Sequence, residues 1–368
     1  MAGSNYGTIF HISTWGESHG KGVGVVIDGC PSGLSLCEED IQIYLNRRKP
    51  GQTMFSTPRK EDDTVEILSG IFEGKTTGTP ISLIVFNKNQ RSKDYGEIAS
   101  YFRPGHADFT FTSKYGFRDY RGGGRSSGRE TIGRVAAGAV ASKLLLELGI
   151  SVKAYSKEIG GISISEEHFD ENAINTNAFY MPDKVAANQV EDYLKKKIKE
   201  HNSVGGIIEC VINGMPVGIG ETTFEKLDAN LAKSIMSIGA VKGFEIGAGF
   251  ACSKINGSEN NDEFHYDISG NLLKTTNNSG GVLGGMSDGS EIIFRAAIKP
   301  TPSIGITQKT VNLSQENIEI EIGGRHDPII VPRAVVVVEA MAALTIIDML
   351  LASMTARVDN IKRFFDNI

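Results

Sequence analysis

The first group of residues that could do chemistry is Gly16-Glu17-Ser18-His19-Gly20, a glycine-rich loop before an apolar run. His19 could donate a proton near neutral pH, because neighbouring groups readily tune the pKa of an imidazole. The alternative interpretation is a turn with an incidental histidine. The glycine spacing is not G-x-G-x-x-G, so it does not predict a dinucleotide fingerprint.

The most informative group lies between residues 103 and 134, which hold seven Lys and Arg against three acids. It opens with Arg103-Pro104-Gly105-His106-Ala107-Asp108 and continues into Gly122-Gly123-Gly124-Arg125-Ser126-Ser127. Free backbone N–H groups, two hydroxyls and several arginines would converge before a helix predicted to start near Thr131, which favours phosphate binding. An RNA-binding segment rich in arginine and glycine is disfavoured, because this basic island is single and is flanked by apolar periodicity.

Two further groups carry cations. Arg47-Arg48-Lys49 precedes a Pro-Gly turn and is either a solvated basic loop or a clamp for phosphate or carboxylate. In the C-terminal third, Lys299, Arg325 and Asp327 are candidates for handling anions and protons, beside a glycine-dense turn at residues 278–289. Taken singly, each of these residues is more often structural than functional.

Composition bounds the class of protein. The 368 residues have a formal net charge of −6, so the basic island of residues 103–134 sits in an acidic chain, which favours an anionic small ligand over a polynucleotide.

Four cysteines, without metal-site spacing or a disulfide framework, predict a reduced protein with no metal site. No secretory signal is evident at the N-terminus. Glycine makes up 43 residues, about 12% against an average near 7%, which predicts turns and close backbone contact with a ligand.

Periodicity predicts strands and helices in irregular alternation, in a chain of α/β or α+β class without a domain boundary. The apolar stretch from Ala334 to Met354 is predicted to be a buried or subunit-interface helix rather than a membrane span, because Glu339 and Asp348 interrupt it. The predicted strands are Val23–Asp28, Val65–Ile71, Ile81–Phe86, Ile207–Ile212 and Glu291–Ile298, and the predicted helices are Ile132–Leu148, Val185–Glu200, Thr223–Ile238 and Ala334–Met354.

In this order, these segments resemble the chorismate synthase family over nearly the whole chain. Many multi-residue motifs in one collinear order make chance agreement negligible. The motifs are Gly16-Glu17-Ser18-His19-Gly20, Arg47-Arg48-Lys49-Pro50-Gly51, Arg103-Pro104-Gly105-His106-Ala107-Asp108, Asp119 to Ser127, Ala240-Val241-Lys242-Gly243, Gly280 to Gly285, Lys299-Pro300-Thr301-Pro302-Ser303 and Arg325-His326-Asp327-Pro328.

The resemblance implies a lyase of the shikimate pathway of aromatic amino acid biosynthesis. In that reaction 5-enolpyruvylshikimate 3-phosphate loses phosphate by a 1,4-anti elimination and yields chorismate, with reduced FMN required but no net redox change. It also implies that His19 protonates the departing phosphate, that His106 keeps the reduced flavin monoanionic, and that Asp327 acts as the base with the flavin N5. A flavin oxidoreductase or a phosphate-binding protein is the alternative.

The resemblance also assigns the ligand contacts. Several relatives carry an arginine that would contact substrate or nicotinamide cofactor where this chain has Met54. Gly239 likewise replaces the Asn or Pro of many relatives. The implied substrate contacts are Arg48, Arg103, Arg129 and Arg134. The implied FMN contacts are Arg125, Ser126, Ser127, Gly239, Ala240, Gly284, Lys299, Pro300, Thr301, Pro302, Ser303 and Arg325.

The implied fold is a β-α-β sandwich, in which two antiparallel sheets are covered by helices, in a single domain spanning residues 1–368. The resemblance further implies a homotetramer. We expect a cytoplasmic enzyme without nucleic-acid or membrane partners. NADPH is expected only as an indirect reductant, because no reductase domain is evident.

Overall fold

Two five-stranded antiparallel sheets form the outer layers of the computed structural model, which describes residues 3–56, 61–88, 97–322 and 327–366. The strands of the N-terminal part are β1 (Asn5–Tyr6), β2 (His11–Gly16), β3 (Gly22–Asp28), β4 (Val65–Ser69), β5 (Ile71–Phe72), β6 (Lys75–Thr76) and β7 (Ile81–Phe86). Five of them form the first sheet in the order β1-β2-β3-β7-β4. The β-branched residues Val23, Val25 and Ile27 are buried in β3 because that strand is central.

The second sheet has the order β11-β16-β10-β8-β9, again with every neighbouring pair antiparallel. Its central strand β10 alternates, with Ile208, Cys210 and Ile212 fully buried on the inner face. The remaining strands are β8 (Ser151–Ile159), β9 (Ile162–Ser163), β10 (Gly206–Asn213), β11 (Val241–Ile246), β12 (Phe264–Tyr266), β13 (Leu272–Lys274), β14 (Val282–Leu283), β15 (Met286–Ser287), β16 (Ile292–Ile298), β17 (Gln308–Val311) and β18 (Asn317–Ile320).

Helices occupy the space between the sheets, which confirms the predicted β-α-β sandwich. The helices are α1 (Glu38–Arg48), α2 (Asp108–Tyr115), α3 (Thr131–Glu147), α4 (Lys184–Lys199), α5 (Leu227–Met236), α6 (Gly257–Asn260), α7 (Val331–Ser353) and α8 (Val358–Asp366). α3 packs on β3 and α7 packs on β8 and β10, while the two helices contact each other along their length. Their approach is close: a Cβ on Gly138 would lie 2.3 Å from the Cβ of Ala340. Small residues therefore set the helix spacing at the centre of the core.

α7 is long and apolar enough to cross a membrane, with a mean hydropathy of 2.2, but 78% of its most apolar window is buried in the protein. Its two acids have partners inside the fold. Glu339 accepts hydrogen bonds from the Arg47 guanidinium and the Ala154 N–H, and Asp348 accepts three N–H groups of residues 8–10. The helix is therefore the central helix of the sandwich, as its interrupting carboxylates predict.

Two element predictions need correction. The helix predicted to begin at Thr223 begins at Leu227, because the Leu227 N–H donates to the carbonyl of Gly285 and this tertiary contact sets the first turn. Arg47 and Arg48 lie in the last turn of α1 and not in a solvated loop. Arg48 is 1% exposed and Arg47 pairs with Glu339, so the interpretation of these two residues as a solvated basic segment is wrong.

A buried charge cluster holds the glycine-rich segment before β16. The Lys274 ammonium lies 2.6 Å from Asp288 and 3.4 Å from Asp262, and the side chains of Lys274 and Asp262 are 4% and 3% exposed. Burial alone would raise the pKa of Asp262, but hydrogen bonds from the Thr276 hydroxyl and the Ser279 N–H outweigh it and hold the pKa well below the usual range. The cluster thus requires an ionised Asp262.

We expect Asp262→Asn to reduce the loss of stability in acid. Because the folded pKa of Asp262 lies below its unfolded value near ~3.9, its contribution is complete above that pH and disappears as the pH falls through the folded pKa. Urea unfolding at pH 6 and pH 3.5 measures the difference. The variant should be less stable at pH 6 and should lose less free energy of unfolding between the two pH values. Asp359→Asn, at an exposed ion pair with Arg357, is the control and should keep the wild-type difference; an equal difference in Asp262→Asn would contradict the assignment.

Candidate active site

His19 lies on the loop between β2 and β3, as predicted, and its side chain is buried. The Ser18 hydroxyl lies 3.2 Å from Nδ1 of the ring. The ring packs against the backbone of Gly122, where a Cβ would lie 2.3 Å from the His19 Cε1 atom. Gly122 also has φ +60°, in the left-handed region. Only glycine fits this position without moving the histidine.

His106 lies on the other side of the same glycine turn. A Cβ on Gly123 would lie 3.5 Å from Cε1 and 3.6 Å from Nε2 of His106. The opposite edge of the ring faces α2, where Nδ1 lies 3.0 Å from Asp108. Consecutive glycines therefore contact the two histidines that the sequence singled out, and the structure brings His19 and His106 to one place.

A small satellite core supports the segment that carries His106. Tyr101 packs with Ile320 and Ile322, beside the β17–β18 hairpin. The Thr310 hydroxyl donates to the carbonyl of Phe102, which ties the hairpin to this segment directly. The hairpin therefore positions the histidine from a distant part of the chain, a relation that local sequence patterns do not reveal.

The arginine–serine turn folds back on the protein. Arg125 donates to the backbone carbonyls of Gly16 and Thr14, and the Ser126 hydroxyl donates to the carbonyl of Gly123. Ser127 caps the next short turn by accepting from the Arg129 N–H. The backbone N–H groups of Ser126 and Ser127 bond within these 3₁₀ turns, so these two of the turn's N–H groups are not free for a phosphate.

Arg48 and Arg129 meet at a carboxylate that sequence reasoning missed. The Asp63 side chain is fully buried and accepts from Arg48 Nη2 and, at 3.1 Å, from Arg129 Nη1. Burial lowers the pKa of Arg48, with the nearby Asp63 charge opposing that shift. Glu61, 3.7 Å from Arg129, completes a buried group of two cations and two anions. Asp63 has φ +48°, an unusual value for a residue other than glycine, and this was not visible in the sequence.

Asp327 lies just before α7 and accepts a hydrogen bond from Arg333 Nη1 at 2.9 Å. Arg333 also donates from Nε to the carbonyl of Arg48, which links Asp327 to the arginine group. Arg333 is a second residue that sequence reasoning missed, although its position in the first turn after Pro332 was visible. Arg325, predicted to contact FMN, lies outside the described residues.

The Lys299–Ser303 segment approaches His106 from the second sheet. The Lys299 ammonium donates to the carbonyl of Gly105 at 2.5 Å, and its backbone N–H donates to the carbonyl of Ala240. Burial, and then the charge of Lys242, lower the pKa of Lys299. A Cβ on Gly105 would lie 3.2 Å from the Pro302 Cβ, so this loop also approaches from the side. Ala240, with φ +74°, is joined to the segment by this backbone hydrogen bond.

The resemblance also drew attention to Thr301, Arg134 and Met54. Thr301 contributes its carbonyl to the Ser203 hydroxyl, while its own Oγ1 is buried without a hydrogen-bond partner among the described residues. Arg134 donates to Glu130 and to the Ser237 hydroxyl, close to the Gly239-Ala240 segment. Met54, the position at which the resemblance implies an arginine in several relatives, is exposed at 71%.

Gly284, a predicted FMN contact, lies at the opposite end of α5 from Gly239. Gly284 lies in the β14–β15 turn at the start of α5, since the adjacent Gly285 accepts from the Leu227 N–H. Gly239 follows the other end of this ten-residue helix, about 15 Å away along its axis. Arg103 lies beside His106, and its Nε and Nη2 atoms donate to Asp108.

The fold and the site define a class: an α/β β-α-β sandwich in which a glycine turn contacts two histidines, one of them held beside Asp108 and Arg103. A family model described as chorismate synthase matches residues 10–351. The chain is 68% identical to the chorismate synthase of Agathobacter rectalis over 368 residues, and this alignment covers 100% of both chains. It is 52% identical over 370 residues to that of Methanococcus vannielii, covering 95% of this chain and 97% of the relative.

A crystal structure of chorismate synthase matches this structure with a TM-score of 0.77 at 30% sequence identity, and the match covers 98% of each chain. The chain belongs to the chorismate synthase family. Membership implies a lyase of aromatic biosynthesis that acts on a small molecule, and it implies a flavin cofactor. Among the described residues, no group of three or more His, Cys, Asp or Glu side chains could hold a metal ion.

Proposed function

We propose that the chain converts 5-enolpyruvylshikimate 3-phosphate to chorismate by 1,4-anti elimination of phosphate. The observation that carries the proposal is the pairing of His19 and His106 on the consecutive glycines Gly122 and Gly123, in a chain of this family. The elimination removes one ring proton and one phosphate, so it needs a base, an acid and cations for the leaving group. In this proposal the base is Asp327, the acid is His19 and the cations are arginines.

His19, by this proposal, gives its proton to the departing phosphate oxygen as the C–O bond breaks. Its burial keeps water away from that oxygen, which strengthens the interaction with the developing charge. Asp327 holds the proton that leaves the ring carbon. Acidic and basic groups can act at one site when their surroundings differ. Here His19 contacts the Ser18 hydroxyl, whereas Asp327 contacts the Arg333 guanidinium.

The substrate carries one phosphate and two carboxylates, and we assign their binding to Arg48, Arg103, Arg129 and Arg134. Arginine suits this task because its planar donors match carboxylate and phosphate oxygens. Arg48 and Arg129 already share Asp63, which holds their side chains together. The same cations would stabilise negative charge as phosphate leaves.

Reduced FMN fits the donor groups near His106. The Lys299 ammonium supplies a cation for a phosphorylated cofactor, and Thr301 Oγ1, which has no hydrogen-bond partner in the described part of the chain, supplies a buried polar atom. We assign its binding to Arg125, Ser126, Ser127, Gly239, Ala240, Gly284, Lys299–Ser303 and Arg325. When bound, the reduced flavin would supply electron density to the reacting ring without net redox change. His106, beside this group, would hold the proton that keeps the flavin monoanionic.

An anaerobic assay with chemically reduced FMN and the enolpyruvyl substrate tests the proposal. Phosphate and chorismate should form in many turnovers for each flavin present. A flavin oxidoreductase would instead consume reduced flavin stoichiometrically, and a phosphate-binding protein would give no product. Adding NADPH without a chemical reductant should give no turnover if the flavin is reduced externally, as we propose.

We further propose that the chain is a single cytoplasmic domain that assembles as a homotetramer. Exposed apolar side chains support assembly: Val358, Phe364 and Phe365 on α8 are each more than 60% exposed. Solvated apolar surface of this extent is typical of interfaces. Light scattering coupled to gel filtration should give about four times the 39.7 kDa chain mass.

A further inference from the structure

Asp108, at the first position of α2, is the most heavily bonded carboxylate near the proposed site. It accepts the Arg103 backbone N–H at 3.1 Å and the Arg103 Nε and Nη2 atoms at 2.7 and 2.9 Å. Arg118 lies 3.6 Å away, and the Asp108 side chain is 3% exposed. Burial would raise the pKa of Asp108, but hydrogen bonds from Arg103 and His106 outweigh it and hold the pKa well below its usual range. The side chain is therefore a fixed negative charge.

This charge lies against one edge of the His106 ring. Nδ1 of His106 is 3.0 Å from Asp108 Oδ1, while the Cε1–Nε2 edge faces Gly123 and the proposed site. A neutral imidazole carries its proton on one nitrogen only, so the partner of Nδ1 decides what Nε2 can do.

Two partners compete for Nδ1. Arg103 Nη2 lies 3.1 Å away and can only donate, whereas Asp108 can only accept. Arg103 Nη2 already donates to Asp108, and a proton on Nδ1 beside the carboxylate gains a charge-assisted hydrogen bond. The tautomer whose Nδ1–H donates a hydrogen bond to Asp108 is therefore favoured.

We propose that Asp108 is a positioning residue for His106: it accepts a hydrogen bond from Nδ1–H, fixes the ring and leaves Nε2 to exchange a proton on the side of Gly123. The importance of this for catalysis rests on the proposed function of His106 as an acid. The charged groups facing the pair are Arg103 and Arg118, and Lys299 approaches through the neighbouring Gly105 carbonyl. The arrangement has the logic of a carboxylate that orients a histidine in acid–base catalysis.

The first test needs no activity. Selective ¹⁵N labelling of the seven histidines, with His106→Gln for assignment, reports which ring nitrogen of His106 is protonated in the wild-type chain. We expect protonated Nδ1 and unprotonated Nε2 at high pH. The opposite tautomer would overturn the proposal, whether or not the chain is the proposed lyase.

The second test uses Asp108→Asn and the pH profile of kcat/KM. An acid must be protonated to act, so activity falls on the alkaline side as it loses its proton. Removing the Asp108 charge favours that loss, and the alkaline limb should move to lower pH by about one unit or more. A lower rate with an unmoved profile would show that Asp108 is merely structural and would overturn the proposal.

Asp183→Asn is the matched control, because Asp183 is the buried carboxylate 3.8 Å from another histidine, His168. Asparagine can still cap α4 in place of Asp183. This variant should shift the His168 resonances and leave those of His106 and the pH profile unchanged.

If Asp108→Asn does not fold, the wild-type ¹⁵N measurement decides alone. If the wild-type chain has no lyase activity, the proposed function fails while the tautomer still tests the geometry.

Discussion

His19→Ala and His106→Ala should each lower turnover at least about 100-fold, the usual contribution of a positioned general acid. Both side chains contact the same glycine turn, so each variant removes a proton donor from the place where the elimination would occur. Steady-state assays with reduced FMN under anaerobic conditions measure the effect. Near-wild-type turnover in both variants would contradict the roles proposed for the two histidines.

The control for this prediction is His168→Ala. His168 is half exposed and lies 3.8 Å from Asp183, in a short turn before α4. Its replacement should leave turnover within about twofold of wild type. Circular dichroism and the urea midpoint should show that all three variants are folded, which separates a loss of chemistry from a loss of structure.

Glu339→Ala should lower the free energy of unfolding by about 3–5 kcal/mol, the range for removing one partner of a buried ion pair. Glu339 is 4% exposed in the middle of α7 and binds both Arg47 and the Ala154 N–H. Its loss leaves the half-buried Arg47 guanidinium and one backbone donor without this partner. Urea unfolding followed by circular dichroism measures the change.

Glu191→Ala provides the comparison, because Glu191 forms an exposed pair with Lys195 on α4. Exposed pairs contribute about 0.2–1 kcal/mol, so this variant should change stability little. Equal changes in the two variants would mean that the Glu339 pair does not brace the core. Glu339 lies outside the proposed ligand contacts, so its variant should keep turnover at temperatures where it is folded.

Local patterns in the sequence predicted several of the regular elements. The run Ile81–Phe86 is a strand over the predicted residues, and the helix predicted over Ile132–Leu148 spans Thr131–Glu147. These elements were readable because hydrophobic periodicity and glycine stops act over a few residues. α1 was missed because its hydrophobic pattern is weak and its charged end resembled a loop.

The sequence predicted only part of the candidate site, because local patterns do not show which distant residues meet. Residue types indicated His19 and His106, but nothing local placed them against neighbouring glycines. Arg47 and Arg48 adjoin in sequence, yet one binds Glu339 in α7 and the other binds Asp63 after α1. Successive helical residues point about 100° apart, so only the surrounding fold decides what each one meets.

The sequence by itself determined the regular elements, the acidic chain with its basic island, and the family, because these depend on residue identity and short spacing. The tertiary structure decided which distant side chains share a site: Asp63 with two arginines, Asp108 with His106, and Arg333 with Asp327. Such contacts depend on how the sheets and helices pack over long separations in the chain. Buried charges need partners wherever packing places them, and that requirement pairs residues that local patterns cannot connect.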